Sequence, residues 1–421
     1  MRQKLELPPL PSIPADPEGL MDGPIAFLHS GEEGRDLLAM GKADEIKVKE
    51  PGEAFSGLSE FLERNPDWAF GAFSYELKNE LEELLSCSPQ RIGAPVLHFF
   101  RPKVLFHLGK ERTVAEYLPK ELAPSDVQAI HKGLSRCDDE KEETSTPRTQ
   151  LRPRTEKDEY LNAVRSLQGH IQQGDIYEVN HCQEFFAEAS ISPYRTFKKL
   201  QRIARAPMAA YYRSGNIRLI CASPERFLQI EDRHVLAQPI KGTAPRGKGP
   251  KEDEEQIETL RQDPKERAEN IMIVDLLRND LSRTAEKGSV KVEELCGIHP
   301  FPTVHQMISS IRSRIASDRS PLEVISEAFP MGSMTGAPKV RAMELIEAHE
   351  GMRRGLYSGS VGYVDPQGNW DLNVVIRSLV YDAQEEYLSA MVGSAITARS
   401  DPEKEYQECL LKAEALKKAI G

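Results

Sequence analysis

The chain lacks the features of a disulfide-bonded, zinc-binding or membrane protein. No run of about 18 apolar residues is present, so no segment is predicted to span a membrane. The first residues, Met1 to Pro14, lack the apolar core of a signal peptide. The cysteines form no CxxC pair and no tight cluster, which predicts reduced thiols in a cytoplasmic protein. There are six: Cys87, Cys137, Cys182, Cys221, Cys296 and Cys409.

Basic stripes and internal repeats are also missing. The net charge is −11, which makes nucleic acid an improbable partner, and no solenoid-type repeat is found. Gly242 to Lys248 matches most of the phosphate-loop pattern, but Gly249 replaces the hydroxyl residue that binds Mg²⁺, and this excludes an NTPase. A chain of 421 residues with 39% hydrophobic residues is long enough for a large core and two lobes.

One break divides the chain. Residues 137–156 are charged, rich in Thr and Pro and almost free of apolar side chains, which predicts a loop or linker. It separates an N-terminal part, residues 1–136, from a C-terminal part, residues 157–421. The N-terminal part carries no catalytic constellation of its own.

Hydrophobic periodicity predicts a mixture of strands and helices. A helix that presents Tyr160 and Val164 on one face ends at Gly174, and a helix-rich segment covers 254–284. Antiparallel strands are predicted over 356–364, 372–381 and 387–398, and a last helix begins near Pro402. Because strands and helices do not alternate strictly, the pattern indicates an α+β fold with sheets covered by helices.

Lys241 stands in the run PIKGT, residues 239–243. It follows a β-like run, His234 to Ile240, and precedes Gly242 and Thr243, which favour a turn. An ammonium at such a position is either paired with a carboxylate or partly desolvated, and desolvation lowers its pKa and makes it a nucleophile. Most turn lysines are simply solvated, so these five residues leave the choice open.

Two predicted helices begin with the same sequence pattern. Asp263 and Asp401 each precede a proline at the first helical position, which predicts two N-caps. Spacing alone favours solvated helix faces over a shared cation site. The first helix carries Glu266 and Glu269 one turn apart; the second carries Glu405, Glu408 and then Lys412.

These motifs together resemble the chorismate-utilising enzymes. The resemblance rests on PIKGT, on DLLRND at 275–280, on GAPKVRAMELIE at 336–347 and on SPER at 223–226, and it is dense from about Tyr160 to Leu416. Within the family, lysine in PIKGT marks the branch of aminodeoxychorismate synthase component I, whereas anthranilate synthase component I carries PIAGT. The resemblance implies an anthranilate-synthase-component-I-like sandwich of large mixed or antiparallel sheets covered by helices.

The resemblance also implies a reaction, in which chorismate and ammonia give 4-amino-4-deoxychorismate for 4-aminobenzoate and folate synthesis. Glu225 would protonate the departing 4-hydroxyl, a role that needs a raised pKa. Lys241, its pKa lowered by burial and by bound Mg²⁺, would add at C2, and ammonia would then attack C4 and expel it. His305 corresponds to a family histidine near the ring. No nucleophile-elbow cysteine is present, so a separate glutamine amidotransferase subunit, component II, is expected to supply ammonia.

The same resemblance assigns binding residues. Glu269 and Glu408 are expected to hold Mg²⁺, with Glu266 and Glu405 acting through water. A Gly-rich loop, Met331 to Lys339, is expected to bind one carboxylate of chorismate through backbone N–H groups. The expected substrate contacts are Thr243, Thr335, Gly336, Tyr357, Arg377, Lys412 and a glycine loop formed by Gly393, Ser394 and Ala395.

Several alternatives remain open at this stage. Glu178 stands where amine-adding relatives usually have glutamine, so it is either a second base or only a hydrogen-bond partner. The chain could also be an anthranilate synthase component I, or a non-catalytic chorismate-binding subunit. Ser30 corresponds to a position that lines a tryptophan pocket in some members.

Overall fold

A computed structural model describes residues 1–30, 36–136 and 149–421. Most of the predicted linker, residues 137–148, therefore lies outside the described residues. The predicted α+β class is confirmed, because two large sheets are covered by helices, and every strand pairing between named strands of the described residues is antiparallel.

The strands are numbered here in chain order. The first eleven are β1 (Gln3–Leu7), β2 (Ile25–His29), β3 (Asp36–Met40), β4 (Asp44–Val48), β5 (Ala69–Phe73), β6 (Leu97–Arg101), β7 (Val104–Leu108), β8 (Thr113–Tyr117), β9 (Arg152–Pro153), β10 (Glu178–Glu188) and β11 (Met208–Ser214). The others are β12 (Ile217–Ser223), β13 (Arg226–Glu231), β14 (His234–Gln238), β15 (Ile240–Pro245), β16 (Lys291–Pro300), β17 (Val304–Arg314), β18 (Gly336–Ala337), β19 (Ser360–Val364), β20 (Trp370–Asn373), β21 (Ser378–Asp382) and β22 (Tyr387–Ile396).

The helices are numbered in the same way. They are α1 (Ala54–Arg64), α2 (Lys78–Leu81), α3 (Pro124–Leu134), α4 (Lys157–Gln173), α5 (Pro193–Ala204), α6 (Pro250–Gln262), α7 (Pro264–Ser282), α8 (Pro321–Ala328), α9 (Lys339–His349) and α10 (Pro402–Ile420). Short 3₁₀ turns cover Tyr75–Leu77 and Gly332–Met334. Within the described residues, no helix is long and apolar enough to cross a membrane.

The two sheets are built from strands that are distant in sequence. The first runs β1-β8-β7-β3-β2-β11-β12-β21-β22-β10-β18, with β9 added beside β10; the second runs β15-β17-β14-β13-β20-β19-β5-β6-β4, with β16 beside β17. Strands of the N-terminal part enter both sheets, since β2 pairs with β11 and β5 pairs with β19. The division into an N-terminal and a C-terminal part stays a prediction from the sequence. Each sheet contains strands from both parts.

Predicted caps set the starts of the two helices that flank the site. The Asp263 carboxylate accepts hydrogen bonds from the backbone N–H groups of Lys265 and Glu266, at 2.8 and 3.0 Å, and Asp401 caps α10 in the same way. Helix α7 packs on β15 and β17 of the second sheet, and α10 packs on β22 of the first. The caps thus confirm the predicted helix starts and fix where the glutamates of each first turn lie.

Two predictions of local structure, one strand and one turn, were wrong in detail. The run 372–381 is not one strand: β20 ends at Asn373 in the second sheet and β21 begins at Ser378 in the first. Val374, Val375 and Ile376 continue the apolar pattern while the chain crosses between the sheets, so periodicity alone hides the break. The predicted turn after Lys241 is a strand instead, because Ile240 to Pro245 forms β15 against β17.

Candidate active site

The edges of the two sheets meet at Lys241 and Glu178. Lys241 lies in β15 of the second sheet, and its Nζ is 3.2 Å from Oε1 of Glu178, the first residue of β10 in the first sheet. The strand pairing shifts register between Ile240 and Thr243, and Gly242 has a φ of +96°, so the backbone bulges beside the lysine. The bulge aims Lys241 away from its own sheet and toward β10.

Carboxylates surround the Lys241 ammonium. Burial by itself lowers the pKa of this lysine, but Glu178, Glu269 and Glu225 outweigh burial and hold the pKa above its ordinary value. Burial therefore does not lower the pKa of Lys241 as predicted, because the neighbouring carboxylates reverse its effect. The lowering expected from bound Mg²⁺ stays a prediction. Lys241 is a paired ammonium, and any reaction as a nucleophile requires that a neighbouring group take its proton.

Glu225 has the environment expected of an acid. It lies between β12 and β13, is 4% exposed, and accepts a hydrogen bond of 2.9 Å from the Ser333 hydroxyl at Oε1. Burial raises the pKa of Glu225 to about 7, while Ser333, Lys241 and Arg377 oppose the rise. The raised pKa that the acid role requires is confirmed.

Four glutamates from α7 and α10 converge around one ammonium. Lys265 Nζ lies 3.7 Å from Oε1 of Glu269 on its own helix and 3.7 Å from Oε1 of Glu405 on α10. Burial lowers the pKa of Lys265, but Glu269, Glu405, Glu266 and Glu408 together raise it above its ordinary value. The four side chains that the sequence singled out are thus the four charges that act on Lys265.

The donor chemistry of this cluster suits a hard cation. Oε1 of Glu269 and Oε2 of Glu405 are buried and have no hydrogen-bond partner, and burial raises the pKa of Glu269 to about 7. Mg²⁺ typically binds one or two carboxylate groups of this kind together with water. As the side chains stand, residues 1–30, 36–136 and 149–421 contain no group of three His, Cys, Asp or Glu side chains arranged to hold a metal. The Lys265 ammonium lies between the two helices instead.

The predicted glycine loop at Gly393 is the interior of β22. Gly393 pairs with Cys182 of β10, and a Cβ at position 393 would overlap the Cys182 sulfur, so glycine is required. The Ser394 hydroxyl is fully buried and lies 3.1 Å from the Tyr160 hydroxyl. Ala395 pairs with Asn180 in the same ladder.

Lys412 connects α10 to this strand. Its Nζ is 2.7 Å from Oε1 of Glu408 and donates a hydrogen bond of 2.8 Å to the carbonyl oxygen of Gly393. Burial raises the pKa of Glu408, but Lys412 outweighs burial and the pKa is lowered. Lys412 therefore keeps Glu408 ionised at the border of the carboxylate cluster.

The loop before α9 adopts a compact form. Its 3₁₀ turn is followed by β18, which pairs Gly336 with Val179 and Ala337 with Glu178. A side chain at Gly336, whose φ is +154°, would overlap the carbonyl oxygen of Glu178. The Thr335 hydroxyl is buried and bonded within the loop, to the carbonyl oxygen of Met331 at 3.1 Å.

Arg377 lies in the crossing between the sheets, and Tyr357 lies in the turn before β19. Arg377 has a φ of +49°, a strained value for a residue with a side chain, and its charge acts on Glu225. Burial lowers the pKa of Arg377 and Glu225 opposes the change. Tyr357 is 5% exposed, and its hydroxyl lies 4.0 Å from the Cys182 sulfur.

His305 and Thr243 occupy less promising positions. His305 is fully buried on β17, and its Nε2 lies 2.9 Å from Oδ1 of Asp253 on α6, while Nδ1 has no hydrogen-bond partner. Asp253 also binds Arg246, at 2.7 Å. The histidine thus joins α6 to the sheet. Thr243 lies in β15 with an exposed side chain.

Two side chains of the candidate site were not predicted from the sequence. Ser333 was only one letter of the loop motif, yet it holds the Glu225 carboxyl group. Lys265 lies four residues before Glu269, a spacing that normally means a solvated helix pair. Nothing in the spacing indicates that a second helix brings Glu405 to the same ammonium.

Comparisons with known proteins show the family and the fold of the chain. A family model described as a chorismate binding enzyme matches residues 23–418. The chain belongs to the chorismate-binding enzyme family. Of solved structures, anthranilate synthase component I from Streptococcus pneumoniae TIGR4 is similar with a TM-score of 0.78 and 25% identity, covering 90% of this chain and 91% of that one.

Two curated relatives in this family carry another name. "Probable aminodeoxychorismate synthase, chloroplastic" of Oryza sativa subsp. japonica is 45% identical over 268 residues, 63% of this chain. The match covers only 30% of the length of that relative. "Aminodeoxychorismate synthase component 1" of Escherichia coli (strain K12) is 36% identical over 352 residues, 84% of this chain and 76% of that protein.

Proposed function

We propose that this chain aminates chorismate at C4 with ammonia and forms 4-amino-4-deoxychorismate. The observation that carries the proposal is the pairing of Lys241 with Glu178, 3.2 Å apart, beside the buried acid Glu225. A nucleophile of the type that forms covalent intermediates and a group able to donate a proton at neutral pH thus share one site. The names of the rice and Escherichia coli relatives support the same reaction.

Glu225 is assigned as the acid that protonates the departing 4-hydroxyl. With a pKa of about 7, a large fraction of this carboxyl group holds its proton near neutral pH. The Ser333 hydroxyl donates to Oε1, and the backbone of Ile240, next to Lys241, also donates a hydrogen bond to this carboxyl group. Arg377, whose charge also acts on Glu225, is suited to bind a substrate carboxylate with its planar fork.

Lys241 is assigned as the nucleophile that adds at C2 of the ring. Its amine forms a bond to C2 as the 4-hydroxyl leaves, and the ring double bonds shift. Ammonia then attacks C4 and expels the lysine. Alanine at the same position, as in the PIAGT of anthranilate synthase component I, cannot form such an adduct, so this lysine also sets which ring carbon receives the amine.

The α7 and α10 glutamates are proposed to hold Mg²⁺. Glu269 and Glu408 would coordinate the ion, with Glu266 and Glu405 acting through water. When bound, the ion supplies positive charge that neutralises a carboxylate of the substrate. Lys412 holds Glu408 ionised from one side, and the caps of both helices fix the positions of the four carboxylates.

Ammonia is proposed to come from a separate glutamine amidotransferase subunit, in the cytoplasm. Product identification tests the whole proposal. The chain is incubated with chorismate, Mg²⁺ and ammonium, and the product is analysed by mass and by fluorescence. A product that keeps the enolpyruvyl group and gains nitrogen at C4 supports the proposal. Fluorescent anthranilate would instead establish an anthranilate synthase, and unreacted chorismate a non-catalytic binding subunit.

Variants of Lys241 test the lysine itself. Without ammonia, mass spectrometry of chorismate-treated enzyme should place a covalent adduct on Lys241. Lys241→Ala should lose the adduct and most of the amination at C4. If Lys241 only neutralises a carboxylate, Lys241→Arg will keep substantial activity and no adduct will form.

A further inference from the structure

Glu178 is positioned to do more than hold Lys241 in place. Its side chain is 1% exposed, and Oε1 lies 3.2 Å from Nζ of Lys241, which is itself 12% exposed. The second carboxylate oxygen, Oε2, is buried and has no hydrogen-bond partner. A carboxylate buried with one oxygen unpaired is costly, and it therefore indicates a group with a second task.

The backbone fixes this carboxylate firmly. Glu178 begins β10 and pairs with Ala337 of β18, while Gly336 lies so close to the Glu178 carbonyl oxygen that only glycine fits there. On the other side β10 pairs with β22 along ten residues of each strand. Glu178 therefore approaches Lys241 from a rigid element rather than from a loop.

Lys241 needs a proton acceptor. The charges that face it are Glu178 from β10, Glu225 from the segment before β13, Glu266 and Glu269 from α7 and Glu408 from α10. Nζ forms an ion pair with Oε1 of Glu178 at 3.2 Å, and only a neutral amine can attack carbon. Glu225 is assigned as the proton donor, and its carboxyl group accepts a hydrogen bond from Ser333. Glu178 is the carboxylate within hydrogen-bond distance of Nζ.

We propose that Glu178 is a catalytic base that takes the Lys241 proton when chorismate is bound. This inference rests on the proposed function. The proton moves from Nζ to the Glu178 carboxylate, the Nζ–C2 bond forms, and the C4–O bond breaks as the hydroxyl leaves as water with the Glu225 proton. When ammonia bonds to C4, the C2–Nζ bond breaks and its electron pair returns to Nζ. Nζ then recovers its proton from Glu178, and the new C4 ammonium gives one to Glu225.

The rate of adduct formation tests this role directly. Wild type, Glu178→Gln and Glu178→Asp are mixed with chorismate and Mg²⁺ without ammonia, quenched at intervals, and the Lys241 adduct is quantified by mass between pH 6 and 9.5. The rate of each variant is divided by the wild-type rate at the same pH, so that the titration of Glu225 cancels. Glutamine preserves the shape and the hydrogen bond but cannot accept the proton.

At pH 7, Glu178→Gln should form the adduct at least tenfold more slowly than wild type. The ratio of the variant rate to the wild-type rate should then rise about tenfold per pH unit, because solvent takes over the deprotonation of Lys241. Glu178→Asp, which keeps a carboxylate, should lie between the two. A Glu178→Gln ratio near one, or a reduced ratio that does not change with pH, would overturn the proposal and leave Glu178 a structural partner.

The product assay separates this inference from the proposed function. If wild type makes the C4-aminated product but forms no lysine adduct, the base role fails while the amination stands. If wild type aminates another ring carbon, the proposed function fails. If a Lys241 adduct forms in that case, the pH dependence of its rate of formation still decides whether Glu178 is the base. If no adduct forms, the base role of Glu178 fails.

Discussion

Lys265 on α7 lies 3.7 Å from the Glu405 carboxylate on α10, and so one ammonium joins the two helices that carry the proposed metal ligands. The same ammonium is 3.7 Å from Glu269. It therefore balances charges that would otherwise repel each other across the helix pair. A divalent cation that enters the cluster has to compete with it.

We expect Lys265→Met to make the chain more dependent on Mg²⁺ for stability. In EDTA the variant should unfold more readily than wild type, by about 1 kcal/mol, because Lys265 is half exposed and its ion pairs are screened by solvent. Added Mg²⁺ should raise the melting temperature more in the variant than in wild type, since binding to the folded state stabilises it. Lys287→Met, at an exposed turn, is the matched control. An equal Mg²⁺ response in all three proteins would show that Lys265 does not compete for the site.

Mg²⁺-dependent turnover should require glutamates from both helices. We expect Glu269→Ala and Glu408→Ala each to abolish it without loss of the fold, because each helix alone offers too few oxygens for a near-octahedral site. Glu414→Ala, on the exposed side of α10, should behave as wild type. Calorimetric titration with Mg²⁺ and circular dichroism measure the two effects separately. If a double variant that combines Glu269→Ala and Glu408→Ala keeps the wild-type Mg²⁺ dependence, the ion binds elsewhere.

The buried acid should cost stability above neutral pH. Burial raises the pKa of Glu225 from 4.5 to about 7, so the folded chain holds a proton that the unfolded chain releases between these values. The free energy of unfolding therefore falls as the pH rises through this window. Glu225→Gln removes the ionisation and should be more stable than wild type at pH 8, by on the order of 1–3 kcal/mol.

Urea unfolding at pH 5 and pH 8 measures this effect. Glu60→Gln, an exposed change on α1, should follow the wild-type pH dependence and serves as the control. The same Glu225→Gln protein should lose roughly 10²- to 10⁴-fold in amination, the usual contribution of a general acid. A variant that is less stable than wild type at pH 8 would contradict the burial argument.

The purified chain alone should use ammonium and not glutamine. At fixed total ammonium its rate should rise up to about pH 7, because ammonia and not ammonium is the nucleophile, and should then level off as Glu225 loses its proton. Addition of a glutamine amidotransferase subunit should confer glutamine-dependent product formation. Glutamine-dependent product from the single chain would mean that it contains a second active site.

The sequence predicted which side chains lie together better than it predicted their local structure. The motifs with Glu225, Lys241 and Glu269 come together in the structure, where both carboxylates act on the Lys241 ammonium. Periodicity correctly predicted a strand around Gly393, although the resemblance implied a loop there. The 372–381 run was misjudged because an apolar crossing segment imitates a longer strand. Periodicity registers residue character and not the partner strand.

The protonation of Lys241 could not have been predicted from its own surroundings in the sequence. Glu178 lies 63 residues before it, and Glu269 lies on a helix that follows. Burial alone argues for a lowered pKa, and the opposite result comes from carboxylates that three separate elements bring together. The sign of such a shift depends on tertiary neighbours, which spacing does not reveal.

The pairing of β2 with β11 and of β5 with β19 gives the N-terminal part a protective task. Without residues 1–136, β11 and β19 would each become an open edge, with backbone N–H and C=O groups free to recruit strands from other molecules. A catalytic part expressed by itself would retain every residue assigned here to the chemistry and would still be prone to aggregate. The N-terminal strands thus protect both sheets from pairing with other chains, a task separate from the reaction.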